Sequence, residues 1–142
     1  MYFGDTHIWV AYSRNLKKWE VVDEPVLSPR PGSFDSRLVE PGPPPILRPE
    51  GIWLGYNGAD DNLRYGFGQA LFAVDNPKKL IRRCTRPLLE PTTEDEIKGQ
   101  VPQVVFGEGL VQFKGKWFLY YGMADSRIGV AFAEVTDTGI GW

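Results

Sequence analysis

The chain has 142 residues and a formal net charge of −2. That is enough for one domain with a core, without the basic footprint of a nucleic-acid binder. A single Cys and a single His exclude an internal disulfide and a Cys- or His-built metal centre, so neither metal nor cofactor is expected. No run approaches the roughly 20 apolar residues of a membrane-spanning helix, and no membrane partner is expected. Five Trp, six Tyr and eight Phe beside 16 Gly and 12 Pro suit a turn-rich all-β protein.

Residues 1–3 read as a short strand, 4–6 as a turn and 8–12 as a second strand. The chain opens as if inside a strand, which reads as an internal stretch of a longer protein and leaves its compartment open. A loop at 15–19 leads to a strand at 21–27, closed by the break Pro29-Arg30-Pro31-Gly32. Strands at 45–47 and 52–56 flank the turn at 48–51, and another runs over 67–74. An edge-like stretch at 81–89 precedes the acidic segment 92–98, read as a short helical or irregular insert. Apolar runs at 110–113 and 117–121 flank Lys114-Gly115-Lys116, and a run at 128–132 follows Met123-Ala124-Asp125-Ser126. Aromatic and β-branched residues bounded by such turns predict a three-stranded meander.

These pieces repeat. NLKKWEVVDEPVLSP from Asn15 matches NPKKLIRRCTRPLLEP from Asn76 at an offset of 61 or 62. EGIWLGYNGAD from Glu50 matches GKWFLYYGMAD from Gly115 at 64 or 65, pairing Trp53 with Trp117 and Gly58 with Gly122. A period of about 60 residues built of four short strands is that of β-propeller blades. The expected segments are part of a blade at 1–29, a blade at 33–91 and most of another at 100–135. About two and a half blades of four-stranded antiparallel sheet do not close a ring. The expectation is therefore a fragment, or self-association through open sheet edges.

Propeller ligands bind among the loops and inner-strand ends, so the polar residues at the breaks are the candidates. Glu40 precedes Pro41-Gly42-Pro43-Pro44-Pro45, and Glu108 holds the corresponding place one repeat later, in Phe106-Gly107-Glu108-Gly109. A carboxyl among Gly and apolar neighbours is partly desolvated, which raises its pKa and suits acid or base work. The simpler reading of either is a turn carboxylate bonded to nearby N–H groups. Asp5, Asp60 and Asp125 each follow an aromatic-Gly signature; each suits sugar hydroxyls, and for Asp5 and Asp60 a turn role is the simpler reading. His7 reads as structural, and Pro43-Pro44-Pro45 as a rigid loop.

GDTHIWVAYSRNLKKW (from Gly4), GPPPI (from Gly42), YNG (from Tyr56), DNPKKLIRR (from Asp75), PLLEP (from Pro87) and YYGMADSRIGVA (from Tyr120) together resemble glycoside hydrolase family 130. The resemblance covers essentially the whole chain. It implies part of a five-bladed β-propeller acting on β-mannosides, by phosphorolysis in some members and hydrolysis in others, with an oligosaccharide or mannoside as ligand. By that resemblance Asp125 contacts the sugar, and Asn57, Asp60, Tyr121 and Arg127 join it as substrate-binding candidates.

Three positions depart from the phosphorylase pattern: Gly4, Leu38 and Asn57 stand where those members carry the Arg, Lys and His that hold phosphate. Loss of these charge-assisted bonds makes inverting hydrolysis the first expectation. Glu40 and Glu108 are then its candidate bases, placed about 6.5–9.5 Å from the acid. The family's general acid, an Asp of an early blade, is expected upstream of Met1. A phosphorylase with a rearranged anion site is the second reading. A non-catalytic glycan-binding or edge-pairing segment is the third.

Overall fold

A computed structural model describes residues 1–135, which hold eleven strands and one short helix. The strands form three consecutive antiparallel sheets. The first contains β1 (Tyr2–Phe3), β2 (Trp9–Tyr12) and β3 (Glu20–Val21) in that order. The middle sheet contains β4 (Leu38–Pro41), β5 (Ile46–Arg48), β6 (Gly51–Ala59), β7 (Tyr65–Phe72) and β8 (Leu80–Arg83). Both β4 and β5 pair with β6, β4 along its end and β5 along its start. They act as one strand interrupted by Gly42-Pro43-Pro44-Pro45. Helix α1 (Glu94–Ile97) leads to the third sheet, where β10 (Lys116–Met123) lies between β9 (Val105–Phe113) and β11 (Arg127–Glu134). No helix among the described residues is long and apolar enough to cross a membrane.

The all-β expectation and the meander hold, with shifted boundaries. The expected strand at 21–27 is two residues long, and Leu27 returns to sheet 1 as a single bridge to Ile8. The stretch at 81–89 likewise shortens to β8, with Leu89 bridging Phe67. Both stretches begin after an Asn turn. Asn15 Oδ1 accepts from the N–H groups of Lys17 and Lys18 at 2.9 and 3.0 Å, and Asn76 Oδ1 from Lys78 N–H at 3.3 Å. Asn binds its own backbone in this way in turns, which accounts for the Asn-x-Lys-Lys match.

The middle sheet is buried on both faces. Leu54 and Tyr56 of β6 face sheet 1 among Ile8, Leu27, Val39, Ala70 and Phe72, while Trp53 joins Phe67, Leu71, Val105 and Leu119 against sheet 3. Alternation along a strand produces this split.

A shared device keys each later sheet to its entry segment. Tyr56 donates its hydroxyl to buried Asp35 at 2.8 Å, and Tyr121 donates to buried Glu96 at 2.8 Å. Each ring lies over a glycine on the next strand. A Cβ at Gly68 would come within 2.8 Å of the Tyr56 ring, and one at Gly129 within 2.6 Å of the Tyr121 ring. The structural register is therefore the 65-residue one, matching Tyr56 to Tyr121 and Leu54 to Leu119. The expected pairing of Trp53 with Trp117 and Gly58 with Gly122 is corrected, because a slip of one residue would turn every side chain to the other face.

Candidate functional site

Acids converge at one end of the three sheets. Asp5, Asp60 and Asp125 all lie in hairpin turns, after β1, β6 and β10. The first turn is drawn to the middle sheet by Val39 N–H, which donates to Thr6 O at 3.2 Å. The third is seated by buried Ala124, whose N–H donates to Val104 O at 3.0 Å and whose carbonyl accepts from Val101 N–H at 3.2 Å. Asp125 itself has a left-handed backbone (φ +50°) and an exposed side chain.

Glu40 is a strand residue of β4, not a loop residue. Pro41 is tolerated there because β4 pairs on one side only and an edge position asks less of its missing N–H. Glu40 is half-buried and lines a cavity of about 460 Å³ with Tyr65, Val101, Val104, Phe106 and Asp125. Burial raises the pKa of its carboxyl, and the charges of Asp5 and Glu108 raise it further. Burial also raises Tyr65, with the charges of Glu40, Asp5 and Asp125 adding to it and Arg37 opposing. The rings of Tyr65 and Phe106 stand 5.8 Å apart at 50° and wall one side. A larger surface hollow, about 550 Å³, is lined by Tyr12, Ser13, Arg14, Asn15, Lys18 and Glu20, with one acid among them.

Glu108 reaches the site by a different route from Glu40. Opposite Tyr121 and Tyr120 stand Gly107 and Gly109, so Glu108 is the extra residue of a β-bulge. At the 65-residue register Asn57, which faces Glu40, matches Gly122, which faces Phe106; the counterpart of Glu40 is therefore Phe106, and the expected equivalence of Glu40 and Glu108 is corrected. Bulges of this kind re-aim side chains beside sites, and Glu108 is exposed yet near enough for its charge to act on Glu40.

Four further candidates point elsewhere. Asn57 is fully buried, and its amide exchanges two bonds with Gly107: Gly107 N–H to Oδ1 at 2.7 Å and Nδ2 to Gly107 O at 3.1 Å. Asp60 Oδ1 accepts from Asn62 N–H and Arg64 N–H at 2.9 and 3.0 Å, a turn closed on itself. Tyr121 faces sheet 2 and is spent on Glu96. Arg127 forms an ion pair with Asp95 of α1. Of the sequence-predicted residues, Glu40 and Asp125 line the cavity, and Glu108 stands near enough for its charge to reach Glu40. Sequence reasoning missed Tyr65, Phe106 and Arg37; the aromatic Gly-flanked positions 65 and 106 carried the only hint.

Carboxylates beside aromatic walls suit a polyhydroxylated ligand, since each carboxylate accepts several hydroxyl bonds. The chain belongs to glycoside hydrolase family 130: the family profile, described as β-1,4-mannooligosaccharide phosphorylase, matches residues 1–138. A 1,2-β-oligomannan phosphorylase of Thermoanaerobacter sp. is 41% identical over 92% of this chain and 44% of its own length. The β-1,2-mannobiose phosphorylase of Listeria innocua, solved with β-1,2-mannobiose, has a TM-score of 0.85 at 34% identity, covering 92% of this chain and 37% of that one. A glycosyl hydrolase structure from Bacteroides ovatus has a TM-score of 0.87 at 41% identity, covering 94% and 41%. The chain thus spans less than half the length of these relatives. The curated relatives bear phosphorylase names, which overturns hydrolysis as the first expectation.

Proposed function

We propose that this chain forms part of an enzyme that cleaves β-mannosides with inorganic phosphate, with the segments 1–29, 33–91 and 100–135 as successive blades of a five-bladed propeller. The observation that carries the reading is the meeting of Glu40, Asp125 and neighbouring Glu108 around an aromatic-walled cavity. Asp125 and Glu108 accept bonds from sugar hydroxyls. In phosphorolysis a phosphate oxygen bonds to the anomeric carbon as the glycosidic C–O bond breaks. The bonding pair leaves with the glycosidic oxygen, which takes up a proton.

The anion site is a rearranged one. Gly4 has φ +128°, and a Cβ there would lie 2.2 Å from His7 O, so no cationic side chain fits at that position. Leu38 is apolar, and Asn57 is spent on Gly107. Burial and the charges of Asp5 and Glu108 raise the pKa of Glu40, and in its protonated form it donates a hydrogen bond to phosphate where a carboxylate would repel it. Exposed Arg37, whose charge reaches Tyr65, supplies the nearby positive field.

The test is to incubate the complete gene product containing this chain with β-1,2- and β-1,4-mannobiose, with and without phosphate. Phosphate-dependent formation of mannose 1-phosphate is expected. Release of free mannose at the same rate without phosphate would overturn the proposal.

A further inference from the structure

Asn57 is unusual among the polar residues near the cavity because it touches none of the space a ligand could fill, yet connects both strands that carry the acids. Its backbone pairs with Glu40 of β4. Its side chain holds Gly107 of β9 from both ends of the amide, at 2.7 and 3.1 Å, and Gly107 immediately precedes the bulge residue Glu108. The contact is too close for a side chain on the far strand: a Cβ at Gly107 would lie 2.4 Å from the Phe67 ring. A buried amide with both ends satisfied holds geometry firmly, since losing one partner leaves a buried polar group unpaired.

We infer that Asn57 is a positioning residue, a two-bond clamp that sets the placement of Glu108 relative to Glu40 across the boundary between the middle and third sheets. The inference rests on the proposed role of these acids in mannoside cleavage. The groups around Glu40 are Asp5 from the β1–β2 turn, Tyr65 from β7, Glu108 from β9 and Asp125 from the β10–β11 turn, while the charge of Arg37, just before β4, reaches Tyr65. Of these, the clamp governs Glu108. Releasing it lets the Glu108 carboxylate move off, and Glu40 then loses its proton at lower pH.

The experiment compares Asn57→Ala with Gln69→Ala in the complete gene product. Gln69 accepts the buried Trp53 indole N–H at 2.7 Å, so its loss weakens the same sheet boundary while leaving both Asn57–Gly107 bonds in place. Asn57→Ala is expected to lower kcat for phosphorolysis about tenfold or more, with KM changed less than about threefold. The alkaline limb of its kcat–pH profile should move to lower pH, because the Glu108 charge that raises Glu40 is then farther away. Gln69→Ala is expected to lower the melting temperature alone. Asn57→Ser keeps a hydroxyl able to serve one of the two bonds; it should fall between wild type and Asn57→Ala, and it carries the test if the alanine variant does not fold.

A second readout does not depend on turnover: the ¹³C-carboxyl titration of Glu40 should shift to lower pH in the Asn57 variants and stay in place in Gln69→Ala. An unmoved Glu40 titration, with kcat lowered no more than in Gln69→Ala, would overturn the clamp. Absence of phosphorolysis in the wild type counts against the proposed function, whereas a shifted Glu40 titration would still support the clamp.

Discussion

The carboxylate of Glu96 offers the sharpest test of how the third sheet is held. Glu96 is 5% exposed. One oxygen accepts from Thr92 N–H and Thr93 N–H at 2.9 and 2.8 Å, and the other from the Tyr121 hydroxyl at 2.8 Å. Burial alone would push its pKa up. The two backbone bonds and the Tyr121 bond outweigh burial and bring it down to about 2 from 4.5. A folded-state value below the unfolded one means the stabilisation is present above about pH 4.5 and is lost as pH falls toward about 2. The full contribution is about 3 kcal/mol at neutral pH.

Glu96→Gln keeps the shape and removes the charge. It should therefore cost about 2 kcal/mol at pH 7 and almost nothing near pH 2. Urea unfolding followed by tryptophan fluorescence at several pH values between 2 and 7 measures both proteins. Other acids contribute to each curve, but the gap between the curves isolates Glu96. A gap that stays constant from pH 7 to pH 2.5 would refute the assignment.

Three further outcomes follow from the same contacts. Gly129→Ala places a methyl group into the Tyr121 ring and is expected to cost about 1–3 kcal/mol in denaturant unfolding, with less than the additive loss when combined with Glu96→Gln. Asp35→Asn, at a buried carboxylate gripped by Arg30, Arg83 and Tyr56, should cost about 3–5 kcal/mol, because the buried Arg83 is left uncompensated. Asp125→Asn preserves a left-handed backbone that Asn tolerates and should weaken mannoside binding by calorimetry about tenfold without lowering the melting temperature, whereas Asp60→Ala should lower the melting temperature and leave binding intact.

How far the sequence could be read differs from residue to residue. Strands bounded by Gly and charged turns were legible, as were the three aspartates, because a hairpin turn is a local event. Glu40 escaped as a strand residue because β4 gains its pairing from the far half of β6, a contact made across Gly42-Pro43-Pro44-Pro45. The register of the repeat was misread for a sharper reason. Matching Trp53 to Trp117 is as good by identity as matching Leu54 to Leu119, yet it is one residue out, and one residue is a whole face in a strand. The pairings that decide the matter, Tyr56 with Asp35 and Tyr121 with Glu96, join residues 21 and 25 positions apart. Asn57 posed the same difficulty at longer range, since its partner Gly107 lies 50 positions away.

The bulge at Glu108 has a consequence for how this site tolerates change. Val105 and Leu110 both pack toward the middle sheet, although five residues separate them and strict alternation would send them to opposite faces. Glu108 absorbs the odd count. It is therefore excused from the core's demand for a particular size and polarity, while the residues on both sides remain bound by it. Replacing Glu108 alters the chemistry and leaves the packing alone; deleting it inverts half the strand. A lineage can thus try out acids, amides or cations at this one point almost freely, whereas it has no such latitude one residue to either side.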